Sequence, residues 1–349
     1  MPNHRNVFLS IAILLIVCLS GVAYAGGARE PQRAAAPSSP APTVSRQLTF
    51  VMVPKGVHPY FEPVYRAFQD AATRYGVVAE VDAPPRFDVG LQVKVIEDLI
   101  ARGVSGIAIS ANDDRGLVAV IHEAIQAGIK VITFDAPAPS SEALTYIGTD
   151  NESAGYAAGK RMAAAMDGRG SIAVLQGGLD ATNLNLRTRG FTRALAEAAP
   201  GIAVAGVVDE GGDFSESVNR TETLLAEHPE LTAIFSVSAE GAPAAAAVVK
   251  GRGKAGRILV AGFDDLGDTL QGIREGSIVF CVVQNTYRMG WLSVERLLDA
   301  AAGRPIPRGI DTGVVFVDRG NVDSYKSAME AENAREGIAH NGPKAPKEP

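Results

Sequence analysis

Short apolar runs alternate with helical patterns along most of the chain. The first four apolar runs end at Val53, Val81, Ser110 and Phe134, and the stretches between them carry apolar residues every three or four positions. Runs of this length predict buried strands, and the three-to-four spacing predicts helices. The cycle restarts after Asp150 and continues to about residue 263. Such alternation is typical of parallel sheets covered by helices on both faces.

The repetition predicts two lobes of similar build, because each run of the cycle is about one domain long. We therefore expect an α/β protein with two doubly wound parallel-sheet lobes. In open parallel sheets, ligands bind beyond the carboxyl ends of the strands. The residues that follow the predicted strands are rich in carboxylates, amides and aromatic rings. That combination suits a polar, uncharged ligand with hydroxyl groups and an apolar face.

The amino-terminal segment breaks this pattern. Residues 1–25 combine a basic start, a short apolar run and Ala23-Tyr24-Ala25, which is typical of a secretory signal peptide cleaved near Ala25. An uncleaved membrane anchor is one alternative. Lipid attachment at Cys18 is another, although Val17 stands where a lipobox has a small residue.

Two further segments are expected to lie outside the lobes. Residues 26–47 are rich in Ala, Pro and Ser and predict a flexible linker. Residues 327–349 are polar and predict a solvated tail.

Composition and charge exclude several classes of function. The chain has 33 Lys and Arg against 39 Asp and Glu, so the net charge of −6 does not favour a nucleic-acid partner. The two cysteines, Cys18 and Cys281, cannot build a cysteine metal cluster or a disulfide framework. The sequence has no metal-ligand spacing and no nucleophile–base motif. We therefore expect no metal, no cofactor and no enzymatic activity.

A set of short segments at the predicted strand ends occurs in an order shared with a known family. The segments are 58–61 (His-Pro-Tyr-Phe), 132–135 (Ile-Thr-Phe-Asp), 148–155 (Gly-Thr-Asp-Asn-Glu-Ser-Ala-Gly), 175–178 (Leu-Gln-Gly-Gly), 187–191 (Arg-Thr-Arg-Gly-Phe), 213–214 (Asp-Phe), 262–264 (Gly-Phe-Asp) and Gln284. Over about residues 48–326 the chain resembles the type I periplasmic solute-binding proteins of sugar ABC transporters, in particular the ribose-binding group. Each segment alone is common, but the ordered set is specific.

The resemblance implies a clam-shell of two lobes joined by a three-strand hinge, the fold of type I periplasmic binding proteins. By position, the crossings would fall near residues 148–150, 285 and 311–312. Lobe 1 would comprise residues 48–148 and 285–311. Lobe 2 would comprise residues 149–284 and 312–326. A sugar would be held in the cleft between them.

The resemblance also implies the binding residues. Aromatic rings would stack on the sugar, carboxylates would accept from its hydroxyls, and an arginine and an amide would donate. The residues carried over are Tyr60, Phe61, Asp135, Arg187, Phe214, Asp264 and Gln284, and Ser238 is predicted to bind the ligand beside them. Further possible contacts are His58, Asn112, Asn183 and Glu240.

Three departures from the family pattern leave the identity of the sugar open. His58 stands in place of an asparagine, Ala136 in place of an arginine, and Ser238-Ala239 in place of an Asn-Asp pair. Structural roles also remain open for several positions. Phe61 would serve equally as a core residue, and Gln284 as a buried amide with internal partners.

The leading hypothesis is an exported, monomeric periplasmic protein that binds a monosaccharide or polyol and delivers it to the permease of an ABC transporter. A ligand-sensing component that presents its closed form to a membrane receptor needs the same cleft. A regulator of the lac-repressor type would need an amino-terminal helix-turn-helix, where the sequence has a signal peptide instead. A secreted enzyme would need the catalytic constellation that the sequence lacks.

Overall fold

The structure is a computed structural model that describes residues 47–338. The first part of the described chain forms β1 (Thr49–Val53), a 3₁₀ turn (Pro59–Phe61), α1 (Glu62–Tyr75), β2 (Val78–Val81), α2 (Val89–Arg102), β3 (Gly106–Ile109), α3 (Val118–Gln126), β4 (Lys130–Phe134) and β5 (Tyr146–Gly148). The second part forms α4 (Asn151–Ala165), β6 (Gly170–Gln176), α5 (Thr182–Ala198), β7 (Ile202–Asp209), α6 (Phe214–Glu227), β8 (Ala233–Ser236), α7 (Gly241–Gly251), β9 (Leu259–Phe263), α8 (Gly267–Glu275) and β10 (Phe280–Gln284). The last part forms α9 (Thr286–Ala301), β11 (Gly309–Asp311), β12 (Val314–Val317) and α10 (Tyr325–Arg335).

Within residues 47–338 these strands form two six-stranded sheets of matching order. Lobe 1 has the order β11-β5-β4-β3-β1-β2, with every neighbouring pair parallel. Lobe 2 has the order β12-β10-β9-β8-β6-β7, and only β12 runs antiparallel to its neighbour. The predicted α/β fold of two doubly wound lobes is confirmed.

Each sheet is covered on both faces, so each lobe has two apolar clusters. In β1, Phe50 and Met52 pack into one cluster of lobe 1, while Val51 and Val53 pack into the other. Successive side chains of a strand point to opposite faces, so a strand buried on both sides is continuously apolar. This is why the sequence shows unbroken apolar runs rather than alternation.

The chain passes between the sheets at three places. It leaves lobe 1 after β5 to begin α4, returns after β10 to begin α9, and leaves again between β11 and β12. Helix α9 belongs to lobe 1, because Met289, Trp291, Val294 and Leu297 are buried in its core. The three passages bring the carboxyl ends of both sheets to face one another.

The predicted solvated tail from residue 327 is mostly exposed over the part that the structure describes, but this part is helical and has buried positions at Asn333 and Ile338. Residues Tyr325–Arg335 form α10, in which Asn333 is buried, and Ile338 lies in the core of lobe 1. Asn333 and Asn285 exchange two side-chain hydrogen bonds of 2.8 and 3.1 Å. The polar pattern hid this helix because one of its main buried contacts is an amide pair rather than an apolar stripe.

Several predictions lie outside the described residues: the signal peptide over residues 1–25, lipid on Cys18, nearly all of the linker over residues 26–47, and the tail beyond residue 338. Among the helices of residues 47–338, none is both long and apolar enough to cross a bilayer.

Candidate ligand-binding site

A cleft of about 480 Å³ lies between the lobes, at the carboxyl ends of their strands. Its volume is within the usual range for small-molecule sites. The cleft is lined by seven of the eight predicted binding residues: Tyr60, Phe61, Asp135, Arg187, Ser238, Asp264 and Gln284. The four further candidates also line it: His58, Asn112, Asn183 and Glu240. The structure therefore brings these side chains together, and their roles in binding remain predictions.

Phe214 is the predicted residue that the structure does not bring into the cleft lining. It begins α6, directly after the capping residue Asp213, and 39% of it is exposed. Phe87, from the loop between β2 and α2, lies in the lining instead, with its ring 5.7 Å from that of His58. Sequence analysis missed Phe87 because its loop carries no regular pattern.

Asp135 provides the carboxylate of lobe 1 at the end of β4. It is buried, and its two oxygens accept from Tyr60 Oη at 2.9 Å and from Ser110 Oγ at 2.6 Å. Burial, together with the charge of Asp135, raises the pKa of Tyr60, so the phenol stays protonated and donates. The carboxylate is thus held in one orientation at the cleft.

Asp264 provides the corresponding carboxylate of lobe 2 at the end of β9. It is buried and accepts from Gln284 Nε2 at 2.9 Å, while Gln284 Oε1 accepts from Thr149 Oγ1 at 2.9 Å. Burial raises the pKa of Asp264 to about 6, although the nearby Arg187 charge favours ionisation. Gln284 therefore serves as a buried amide with both ends paired, and at the same time as part of the lining.

The two aspartates occupy equivalent places, since β4 and β9 are each third in the order of their sheets. Both have left-handed backbones, with φ of +56° at Asp135 and +67° at Asp264. Each backbone N–H donates to the next strand, to Ile147 O at 3.1 Å and to Val282 O at 2.8 Å. Such a backbone costs about 1–3 kcal/mol and is found mainly at functional sites.

Arg187 enters the cleft from α5 and is almost fully buried. Its Nε donates to Asn151 Oδ1 at 2.8 Å, and its Nη1 donates to Val237 O at 3.0 Å. The guanidinium lies 4.2 Å from the ring centroid of Phe263. Its buried Nη2 has no hydrogen-bond partner within residues 47–338. Because buried donors are rarely left unpaired, this group is suited to donate to a ligand oxygen.

Two polar contacts connect the lobes across the cleft. His58 Nδ1 accepts from the Tyr60 N–H at 3.1 Å, so Nε2 carries the proton and donates to Glu240 Oε1 at 2.7 Å. Lys55 Nζ donates to Asn183 Oδ1 at 2.9 Å. The first residue of each pair belongs to lobe 1 and the second to lobe 2. The lobes are therefore closed on one another.

Phe61 has a mainly structural position beside the cleft. Its ring is buried against Phe134 and Tyr65, with both centroids 6.1 Å away. Tyr60 lies edge-on to it at 5.0 Å and reaches further toward the cleft. The apolar face available to a ligand comes from Tyr60, the edge of Phe61, and Phe87.

Ser238 is hydrogen-bonded to Glu210, a buried acid that the sequence pattern did not indicate. Ser238 Oγ donates to Glu210, and Ser236 Oγ donates to the same carboxylate at 3.4 Å. Burial raises the pKa of Glu210. This contact fixes the loop that carries Glu240 to the cleft. Within residues 47–338, no group of three or more His, Cys, Asp or Glu side chains is arranged to hold a metal ion.

Two doubly wound lobes, joined by three crossings around a polar cleft, define a two-lobed ligand-binding protein. The chain belongs to the family described as periplasmic binding protein domain, which matches residues 49–305, and its fold is that of a type I periplasmic binding protein.

Individual relatives agree with this assignment. The chain is 39% identical to an ABC transporter solute-binding protein from Burkholderia graminis solved in complex with D-arabinose, with a TM-score of 0.77 over 80% of this chain and 97% of that one. It is 27% identical to the ribose import binding protein of Bacillus subtilis, over 72% of this chain and 81% of that one. It is also 26% identical to a chain of the XylFII–LytSN complex, with a TM-score of 0.74 over 79% of this chain and 99% of that one.

Proposed function

We propose that the protein captures a monosaccharide or related polyol in its interlobe cleft and delivers it to the membrane permease of an ABC transporter. The observation that carries this proposal is the pair of equivalent carboxylates, Asp135 and Asp264, facing one cleft beside Arg187, whose Nη2 has no partner in the described part of the chain. Carboxylates accept from neighbouring hydroxyls and the arginine donates to a ring or hydroxyl oxygen, which together match a sugar. The related proteins with D-arabinose and ribose in their names support the same class.

The charges in the cleft favour a neutral ligand. At its floor, the cations Lys55 and Arg187 face the carboxylates Asp135 and Asp264, so that the buried charges balance. The more exposed acids of the lining add negative charge at the mouth: Asp88, Asp113, Asp180 and Asp209. An anionic sugar acid or sugar phosphate would meet repulsion there and an unbalanced charge at the floor.

The size of the site favours a monosaccharide. The contacts between Lys55 and Asn183 and between His58 and Glu240 cross the cleft in the closed form. An oligosaccharide would have to break one of them to fit between the lobes. The apolar face of Tyr60 and Phe87 then stacks on the C–H face of a single ring.

Delivery to a permease requires export and an exposed docking surface. The expected signal peptide over residues 1–25 would place the protein in the periplasm, where it would act as a monomer. Phe87 of lobe 1 and Leu179 of lobe 2 both line the cleft while remaining 41% and 59% exposed. Apolar side chains exposed at the cleft on both lobes are suited to a protein partner.

Presentation of the closed form to a membrane receptor is the second candidate. It is supported by the similarity to XylFII, a protein that forms a complex with a second protein. Uptake of the labelled sugar by cells lacking the gene separates the two functions. Loss of uptake supports delivery to a permease, and unchanged uptake supports sensing.

The direct test is calorimetric titration of the purified mature protein. The panel contains D-ribose, D-arabinose, D-xylose, D-allose, D-galactose and D-glucose, together with the corresponding sugar acids. We expect at least one neutral sugar to bind with a Kd below about 10 μM, and its acid to bind much more weakly. Failure of every neutral sugar, or a preference for the acid, would overturn the proposal.

A further inference from the structure

Lys55 is a buried cation whose partner in the other lobe is a neutral amide. It follows β1 in lobe 1, is 7% exposed, and donates to Asn183 Oδ1 at 2.9 Å near the start of α5 in lobe 2. Asn183 is also buried. Lysine is rarely buried without a charged partner in contact, because an isolated ammonium group is costly to remove from water.

The charge that compensates Lys55 comes from the floor of the cleft. Asp135, directly after β4, and Asp264, directly after β9, stabilise the ammonium form, and Arg187 on α5 opposes it. Burial outweighs these effects and lowers the pKa of Lys55 to about 8. The lysine is therefore mostly charged at pH 7 and loses its charge in mildly alkaline solution. Without it, two carboxylates would face the single cation of Arg187.

We propose that Lys55 determines the specificity of the cleft: its ammonium group joins the lobes through Asn183 and balances the two floor aspartates, so that closure favours a neutral sugar. This inference rests on the proposed function and deepens it. The bridge to Asn183 holds the closed form, and the charge keeps the ionised aspartates available as acceptors for hydroxyl groups. Removing the charge turns the same cleft into a site that favours a cationic ligand.

The pH dependence of wild-type affinity tests the role of the charge without any mutation. The probe is the neutral aldose that binds most tightly in the panel. We expect its Kd to be constant from pH 6.5 to 7.5 and to rise at least about tenfold by pH 9.5, as Lys55 loses its proton. Lys55→Arg keeps a charge over this range, so its affinity is expected to be flat across it.

Matched variants separate the effect of the Lys55 charge from that of its hydrogen bond to Asn183, the bridge between the lobes. Lys55→Met keeps the length of the side chain and removes both, whereas Asn183→Ala removes the bridge and keeps the charge. Both are expected to weaken binding of the aldose by about tenfold or more. In Lys55→Met, the affinity for the 2-amino-2-deoxy analogue relative to that for the parent aldose should rise at least about tenfold. In Asn183→Ala, this ratio should stay unchanged. Circular dichroism confirms that each variant is folded.

The possible outcomes distinguish this inference from the proposed function. If the wild type binds no neutral aldose, the proposed function fails and the inference fails with it. If the wild type binds an aldose with the same affinity from pH 6.5 to 9.5, or if Lys55→Met leaves the amine preference unchanged, the inference is wrong and the proposed function stands.

Discussion

Asp135 and Asp264 illustrate how a single residue can place stability and binding in opposition. Each combines a left-handed backbone with a buried carboxylate. Both features oppose folding, because the backbone is strained and the charge is removed from water. The hydrogen bonds from Tyr60 and Ser110 offset this cost at Asp135, whereas within residues 47–338 Gln284 is the one side chain that donates to Asp264. Asp264 is therefore the position where binding conflicts most with stability.

We expect Asp264→Asn to weaken sugar binding more than about a hundredfold while stabilising the ligand-free protein at pH 7. Two hydrogen bonds from sugar hydroxyls to a carboxylate contribute roughly 1.5–3 kcal/mol each. Because folding raises the pKa of Asp264 to about 6, the folded wild type binds more protons than the unfolded chain between about pH 4 and 6. Its free energy of unfolding therefore falls as pH rises through that window, by about 2–3 kcal/mol. Asparagine accepts the left-handed backbone and removes the charge.

Calorimetric titration and thermal denaturation from pH 4 to 7.5 measure both effects. The control is Glu330→Gln, an exposed acid on α10, which should change neither quantity. Binding within about threefold of wild type would show that Asp264 has been assigned the wrong role. A stability difference between wild type and Asp264→Asn that does not vary with pH would rule out the buried charge as its cause.

Sequence analysis found the two aspartates but not Lys55, for a physical reason. An acid directly after an apolar strand must lie at the carboxyl edge of a parallel sheet, so position alone suggests its function. A lysine in a loop is usually solvated, and nothing in the local sequence of Lys55 indicates burial. Its environment is created by Asn183 and Asp264, which lie far along the chain in the other lobe.

At the scale of elements, the close packing of α4 and α5 fixes the position of Arg187. A β-carbon on Gly155 of α4 would lie 2.1 Å from the carbonyl oxygen of Arg187, and one on Gly190 of α5 would lie 2.1 Å from that of Glu152. The two backbones are therefore in direct contact. This proximity allows Asn151, at the start of α4, to accept from Arg187.

Gly155→Ala should separate the two helices and weaken both folding and binding. We expect a loss of about 1–3 kcal/mol in the free energy of unfolding, because the carbonyl is backbone and cannot rotate away. Sugar affinity should also fall, because Arg187 would move with α5. Urea denaturation and calorimetric titration measure the two effects.

Gly251→Ala, at the end of α7, provides the matched control. A β-carbon there would have no heavy atom of residues 47–338 within 4 Å. Alanine favours the helix over glycine, so we expect a change of at most about 1 kcal/mol, in the stabilising direction. Equal effects of the two substitutions would contradict close packing as the reason for Gly155.

The elements that the sequence predicted well are those with a strong apolar signal. Buried strands such as β3 and β9 are continuously apolar, and helices such as α1 carry one apolar face. Helix α10 was missed because it buries few positions: Tyr325 packs in the core of lobe 2 beside Met329, and Asn333 pairs with Asn285. A helix held by polar contacts to two lobes has no clear signature in its own sequence.

At the scale of the whole molecule, ligand binding should close the lobes about their three crossings. The contacts from Lys55 to Asn183 and from His58 to Glu240 exist only when the lobes are together. Small-angle scattering should therefore give a smaller radius of gyration with the sugar identified in the panel. A sugar that does not bind in the panel provides the control. The same radius with and without saturating sugar would contradict closure.

Helix α10 determines what kind of motion this closure is. Its amino-terminal end is fixed to lobe 2, where the buried Tyr325 donates to Asp265 Oδ2 at 2.6 Å. Beyond its carboxyl-terminal end, Glu336 pairs with Arg288 of lobe 1 at 2.8 Å. Between these ends, Asn333 is bonded to Asn285, where the chain crosses between the lobes. Helix α10 is therefore attached to both lobes, next to the crossing at Asn285.

Because α10 is attached to both lobes, we expect the lobes to rotate about an axis near the Asn285–Asn333 pair rather than to slide or separate there. In such a rotation, a residue moves further the further it lies from the axis. Asp264 and Gln284 lie close to the axis, and Phe87 and Leu179 lie at the mouth of the cleft. In the proposed function, a small displacement caused by a sugar at the floor would become a larger one at the mouth, where the proposed permease or receptor would bind.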